Sequence, residues 1–121
     1  MESTTARVAR IAPELPVRNL RSALDYYTDR LGFEIAMDLP NAEYAIVERD
    51  GVAIHLFEDK SGLNSPVGVH IFTPDLDDLY RELSGRGADL MQPIESKPWG
   101  NREFRVNDGS GNLLKFTEPA G

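Results

Sequence analysis

Two histidines, one tryptophan and no cysteine bound the chemistry open to this chain. Without a thiol there is no thiolate nucleophile, no disulfide framework and no cysteine-based zinc site. The sequence holds no G-x-S-x-G, no glycine-rich phosphate loop and no histidine at motif spacing from an acid. What remains is His55 in "VAIHLFE" and Glu14 in "IAPELPV". Strand alternation puts both on one inward face, where they can act as an acid–base pair. The simpler reading is an ion pair or a contact that orients a ligand. Trp99 lies in "PWGNREFRVN", between Pro98 and Gly100 and just ahead of a strand-like alternation. A large rigid ring in a turn reaches into a crevice at low entropic cost. Its structural alternative is an anchor packed on the core or in a subunit interface. Tyr44, at the start of a strand in the first half, carries the same two readings.

The elements that position these residues follow from periodicity. "IAPELPV" is a short strand, its two prolines excluding a helix interior. Leu20, Leu24, Tyr27 and Leu31 then recur at helical steps, with Asn19 as N-cap and Gly32 as the stop. "FEIAMDL", "EYAIVER" and "VAIHLFE" read as strands, the last two joined by the hairpin signal Asp50-Gly51. The pattern starts again with the strand "VGVHIFTP" and a helix capped by Asp75 and stopped at Gly85 or Gly87. The strands "DLMQPIE", "REFRVND" and "NLLKFTE" complete it. Residues 50–58 and 110–118 also align at a constant offset of sixty, with Gly51 on Gly111, His55 on Lys115 and Glu58 on Glu118. The chain is β-α-β-β-β twice over, an internal repeat. In the closing strands Ile54, Leu56, Leu114 and Phe116 pack on the helices. Ala53, His55 and Phe57, with Leu113, Lys115 and Thr117, take the other, concave face.

The 121 residues suit one domain, and twenty acids against thirteen bases give a net charge of −7. That field repels nucleic acid and anionic membranes and attracts cations. No apolar run reaches the roughly 20 residues that span a bilayer. "MESTTARVAR" lacks the apolar core of a signal peptide, so the expected location is cytoplasmic.

Three stretches carry a family resemblance. "PVRNLRSALDYYTDRLGF" and "DGSGNLLKFTE" resemble the first strand-to-helix junction and the closing hairpin of the vicinal-oxygen-chelate superfamily. In the second of these, Gly109 and Ser110 replace the usual proline and aspartate. This superfamily includes glyoxalase I, extradiol dioxygenases, fosfomycin-resistance enzymes and bleomycin-resistance proteins. "PWGNREFRVND" is most similar to the bleomycin-resistance subgroup. The resemblance implies an α+β fold of two βαβββ modules forming U-shaped mixed sheets. It makes residues 1–121 a single domain, with module 1 over about 10–58, a loop at 59–66 and module 2 over about 67–118.

It also implies where a metal would sit in the enzymes: at Ala12, His55, Val69 and Lys115 of this chain. Two of these are apolar and one is a cation, so no metal and no cofactor is expected. His70, beside Val69, is expected on the opposite face as a packed core histidine. Metal-free members of the subgroup sequester their drug in two crevices of a symmetric dimer, clamping its planar group between aromatics. Carried over, Trp99 and Tyr44 form the clamp, and Phe57, His55, Glu14, Lys115 and Asn101 complete the ligand-binding set. The expected function is non-catalytic binding of a planar, cationic small molecule such as a bleomycin-type glycopeptide. A metal-independent isomerase or lyase of the same superfamily is the alternative. The expected partners are that ligand and a second copy of the chain, with neither nucleic acid nor membrane.

Overall fold

The computed structural model describes residues 5–119. It runs β1 (Glu14–Val17), α1 (Leu20–Asp25), β2 (Glu34–Leu39), β3 (Tyr44–Arg49), β4 (Val52–Glu58), β5 (Gly68–Phe72), α2 (Leu76–Gly85), β6 (Asp89–Leu90), β7 (Glu95–Ser96), β8 (Arg102–Asn107) and β9 (Leu113–Thr117). Two mixed sheets result. The first has the order β1-β4-β3-β2, and the second β5-β9-β8-β6 with β7 also on β8. In each, the first strand runs parallel to the last, β1 on β4 and β5 on β9.

Local chemistry explains most of these elements. Asn19 caps α1, its side chain accepting from the Ser22 N–H at 2.9 Å. The helix continues as a π-helical turn over Tyr26–Arg30 and ends at Gly32, whose φ of 75° suits glycine. Asp50 and Gly51 both have positive φ, 50° and 80°, as a two-residue hairpin of type I′ needs. Two expectations fail in detail. "DLMQPIE" splits into β6 and β7, because Pro93 has no N–H to continue a ladder. Asp75 holds the N-cap position of α2 but makes no side-chain cap bond.

The repeated glutamates do equivalent work. Glu58 accepts from the Leu20 N–H at 2.8 Å and so ties the end of β4 to the start of α1. Glu118 grips Arg102 at 2.7 Å, and Arg102 reaches Asp77 in the first turn of α2 at 2.9 Å. The helix-facing sides of both sheets share one apolar core. Leu15, Leu24, Tyr27, Ile54 and Leu56 from the first module join Leu76, Leu83, Phe104, Leu114 and Phe116 from the second.

Polar contacts lock this seam at two places. Arg49 grips Glu82 in a bidentate pair at 2.7 and 2.9 Å and also donates to the Leu31 carbonyl at 2.8 Å. Elsewhere the turn between β8 and β9 buries Asp108, which accepts from the Tyr27 hydroxyl at 2.8 Å. Asn112 in the same turn donates to the Pro16 carbonyl of β1 at 2.8 Å. With the helix sides buried together, the opposite face of each sheet is left for function.

Candidate functional site

On the first sheet, register decides which side chains share the concave face. Glu14 pairs with His55, Ile46 with His55, and Tyr44 with Phe57. The Tyr44 hydroxyl consequently lies 2.7 Å from a Glu14 carboxylate oxygen and 2.7 Å from His55 Nδ1. Its ring meets the imidazole edge-on, at 5.7 Å and 80°. Burial, reinforced by the hydrogen bond to Glu14 and its charge, pushes the Tyr44 phenol up to about 12. It therefore remains a donor at neutral pH. With its one proton given to Glu14, the oxygen accepts from His55 Nδ1–H, and Nε2 is the imidazole's remaining nitrogen. A phenol with a raised pKa contributes its share of stability below its ordinary value of 10.0 and loses it as pH rises through about 12. Phe57 is half-buried on the same face.

This face continues onto β2, where Leu39 pairs with Tyr44 and Met37 with Ile46. Leu39 and Met37 are 46% and 45% exposed.

On the second sheet the register is His70 with Lys115, and Lys115 with Arg105. Two sequence expectations are corrected here. Val69 faces the shared core, not a ligand cavity. His70 is exposed on the concave face, not packed in the core. A one-residue error in the β5 position inverts every side chain, which is the cause of both. His70 stacks on Phe72 at 6.3 Å and 22°. Its Nδ1 is 3.2 Å from the Thr117 hydroxyl.

Trp99 sits at the tip of the β7–β8 hairpin and is 69% exposed. The turn is closed by Lys97 N–H to the Asn101 carbonyl at 2.7 Å and Gly100 N–H to the Lys97 carbonyl at 2.9 Å. Asn101 uses its amide to hold the Glu118 carbonyl at 2.9 Å, which braces the hairpin against the segment after β9. Glu103 on β8 is 2% exposed and bound to Arg105 Nε at 2.9 Å. Sequence reasoning passed over both Glu103 and Arg105. The alternation in "REFRV" carried the signal, since it sets them on the face of Lys115.

The donor set does not fit a catalytic divalent metal. Among the described residues, no three histidine, aspartate or glutamate side chains converge on one point. Lys115 stands across from His70 where a ligand would be needed. A cleft of about 460 Å³ opens at the module seam, over Phe33, Val52, Ile71 and Leu79 with Asp50 and Asp78 at its rim. Its lining includes none of the seven ligand-binding residues expected from the sequence.

Residues 7–116 match the model of the Glyoxalase/Bleomycin resistance protein/Dioxygenase superfamily. A bleomycin resistance protein of Geobacillus stearothermophilus is 26% identical over 125 aligned positions, covering 86% of this chain and 92% of that one. Among solved structures, the bleomycin resistance determinant encoded on transposon Tn5 superposes with a TM-score of 0.82 at 24% identity, over 94% of this chain and all of that one. A bleomycin-binding protein of Streptomyces verticillus, solved with copper(II)-bleomycin, gives 0.77 at 23% identity, over 96% of this chain and 100% of that one. No helix among the described residues is long and apolar enough to cross a membrane.

Proposed function

The chain belongs to the Glyoxalase/Bleomycin resistance protein/Dioxygenase superfamily, and from that premise we propose that it is a cytoplasmic, non-catalytic binding protein that sequesters a planar small molecule. The ligand class is that of the bleomycin-type glycopeptides, with a flat aromatic group and a cationic end. The observation that carries this reading is Trp99, a large apolar ring held 69% exposed on a braced hairpin. The ring stands outside the apolar core of the described residues, and a flat heteroaromatic stacks on it well. Tyr44 and Phe57 offer the second aromatic wall, and Glu14 the carboxylate for the cationic end. The test is recovery. After incubation and release, the ligand should return chemically unchanged and in stoichiometric amount. Turnover would instead favour a metal-independent enzyme, for which the Glu14–Tyr44–His55 relay is the supporting observation.

The binding unit is a symmetric homodimer. The exposed Met37 and Leu39 flank the relay on the open face of the first sheet, and a two-fold partner covers such a face while making two identical crevices. Light scattering at micromolar concentration should give twice the 13.5 kDa of one chain; a monomer would remove the dimer from this reading. The protein also works without metal. Purified material should carry no stoichiometric zinc, nickel, manganese or iron, and chelators should leave its unfolding midpoint unchanged. One tightly bound metal per chain would overturn this.

A further inference from the structure

The acidic character of the whole molecule conceals a local exception. His70, Lys115 and Arg105 are register partners on three adjacent strands, β5, β9 and β8, and share one face. Neighbouring strands lie about 4.8 Å apart, so the three nitrogen-bearing side chains form a continuous row. Two carboxylates share this face, since Glu95 is the register partner of Glu103; Glu103 is engaged by Arg105 Nε at 2.9 Å and lies 4.0 Å from the Lys97 ammonium. Lys97 is itself held at 2.8 Å by Glu95. Lys115, in the middle of the row, is half-buried and has no carboxylate within 4.0 Å and no hydrogen-bond acceptor among the described residues. In a chain with twenty acids against thirteen bases, a half-buried cation with no counter-ion among the described residues is placed to meet an anion from outside the chain.

The row is also shaped to stay on the face. A methyl placed on Gly68 would come 3.3 Å from Lys115 Cε and 3.4 Å from Nζ. The ammonium thus lies folded against the β5 backbone, where a longer reach to solvent would be the usual course for lysine. Arg105 has only its Nε committed to Glu103, which leaves the rest of the guanidinium fork to donate. His70 Nδ1 is placed by the Thr117 hydroxyl, and Thr117 gives its own proton to the Lys115 carbonyl at 3.2 Å. The Thr117 oxygen therefore accepts from His70.

We infer that the concave face of the second sheet is an oxyanion subsite in which Lys115, flanked by Arg105, takes a carboxylate or sulfonate carried by the ligand's flat ring. This rests on the binding-protein reading and narrows its ligand class to a zwitterion, with an acidic group on the flat ring as well as the cationic end. The net charge of −7 does not contradict the assignment. Its field is diffuse and screened over about 10 Å at ordinary salt, whereas the row acts at contact distance.

Calorimetric titration with three naphthalenes of one framework tests this: 2-naphthalenesulfonate, the neutral 2-naphthalenemethanol and 2-naphthylmethylammonium. The full-length protein should bind the sulfonate about tenfold or more tighter than the neutral probe, the scale of one charge-assisted contact. Lys115→Gln should erase that preference. Lys60→Gln, which removes the same charge from an exposed pair with Glu43, should leave the preference intact. Arg105→Gln supplies a second loss should Lys115→Gln fold poorly. Sulfonate binding no tighter than that of the neutral probe, or an equal loss of the preference in Lys60→Gln, overturns the subsite alone. If no probe binds, both the subsite and the binding-protein reading fall.

Discussion

Replacing Trp99 by alanine is expected to weaken ligand binding about ten- to a hundredfold, the scale of about 1–3 kcal/mol for one lost stacking face, with the fold unchanged. The structure separates the two effects. The indole is 69% exposed, and the apolar core is built without it. The hairpin turn is closed by backbone bonds of Lys97, Gly100 and Asn101, and the Asn101 amide braces it to Glu118. None of these contacts uses the ring. Because Trp99 is the sole tryptophan, quenching of its emission reports on the site directly. Tyr44→Ala should also weaken binding, but by a different route, since the substitution also releases Glu14 and His55 from the shared hydroxyl. Tyr44→Phe keeps the ring and removes only that hydroxyl, so it separates stacking from positioning. The double variant Trp99→Ala/Tyr44→Ala should be non-additive if both rings grip one group. Unfolding of Trp99→Ala, with no change in emission on adding ligand, would make the indole a structural anchor and remove the main support for sequestration.

Much of this site was legible before any coordinates because it rests on period-two and helical patterns. Alternation correctly placed His55, Phe57, Lys115 and Thr117 opposite Ile54, Leu56, Leu114 and Phe116. The turn around Asp50-Gly51 and the α1 cap at Asn19 were legible because their chemistry is local. The errors have the opposite character. Val69 and His70 were exchanged in role because β5 offers no local mark of its register, and only pairing with β9 fixes it. The brace from the Asn101 amide to the Glu118 carbonyl was not legible either, because its acceptor lies on a segment distant in sequence. The Arg49–Glu82 pair joins two modules, and no spacing rule reaches across them. Faces are written in sequence periodicity, but registers and cross-module bonds are settled by packing.

The buried carboxylate of Asp108 supplies the largest expected loss of stability. It is 2% exposed and accepts four hydrogen bonds: from the Tyr27 hydroxyl and the Asn112 side chain at 2.8 Å each, and from the Ser110 and Asn112 backbone at 2.9 and 3.1 Å. Tyr27 and Asn112 are each 0% exposed. Burial, followed by the adjoining Asp108 charge, raises the Tyr27 phenol well above its ordinary range, so it remains a donor in need of an acceptor. Asp108→Ala strands that hydroxyl and the Asn112 amide without water to replace the carboxylate. With each buried, unsatisfied group costing about 1–3 kcal/mol, the total should be about 3–5 kcal/mol. That is a large fraction of the roughly 5–15 kcal/mol by which a domain is stable, and urea denaturation should show it as a lower midpoint. Tyr27→Phe removes one donor and leaves Asp108 three others, so its cost should be smaller, about 1 kcal/mol. The consequence extends to function. Asn112 links this turn to the Pro16 carbonyl on β1, which carries Glu14, and β9, which carries Lys115, begins immediately after it. Asp108→Ala should therefore weaken binding as well as stability, whereas Trp99→Ala should weaken binding alone. An unfolding free energy of Asp108→Ala within about 0.5 kcal/mol of the parent protein, the scale of an ordinary surface change, would show that the seam is held by apolar packing and that the turn does not set the register of the two site strands.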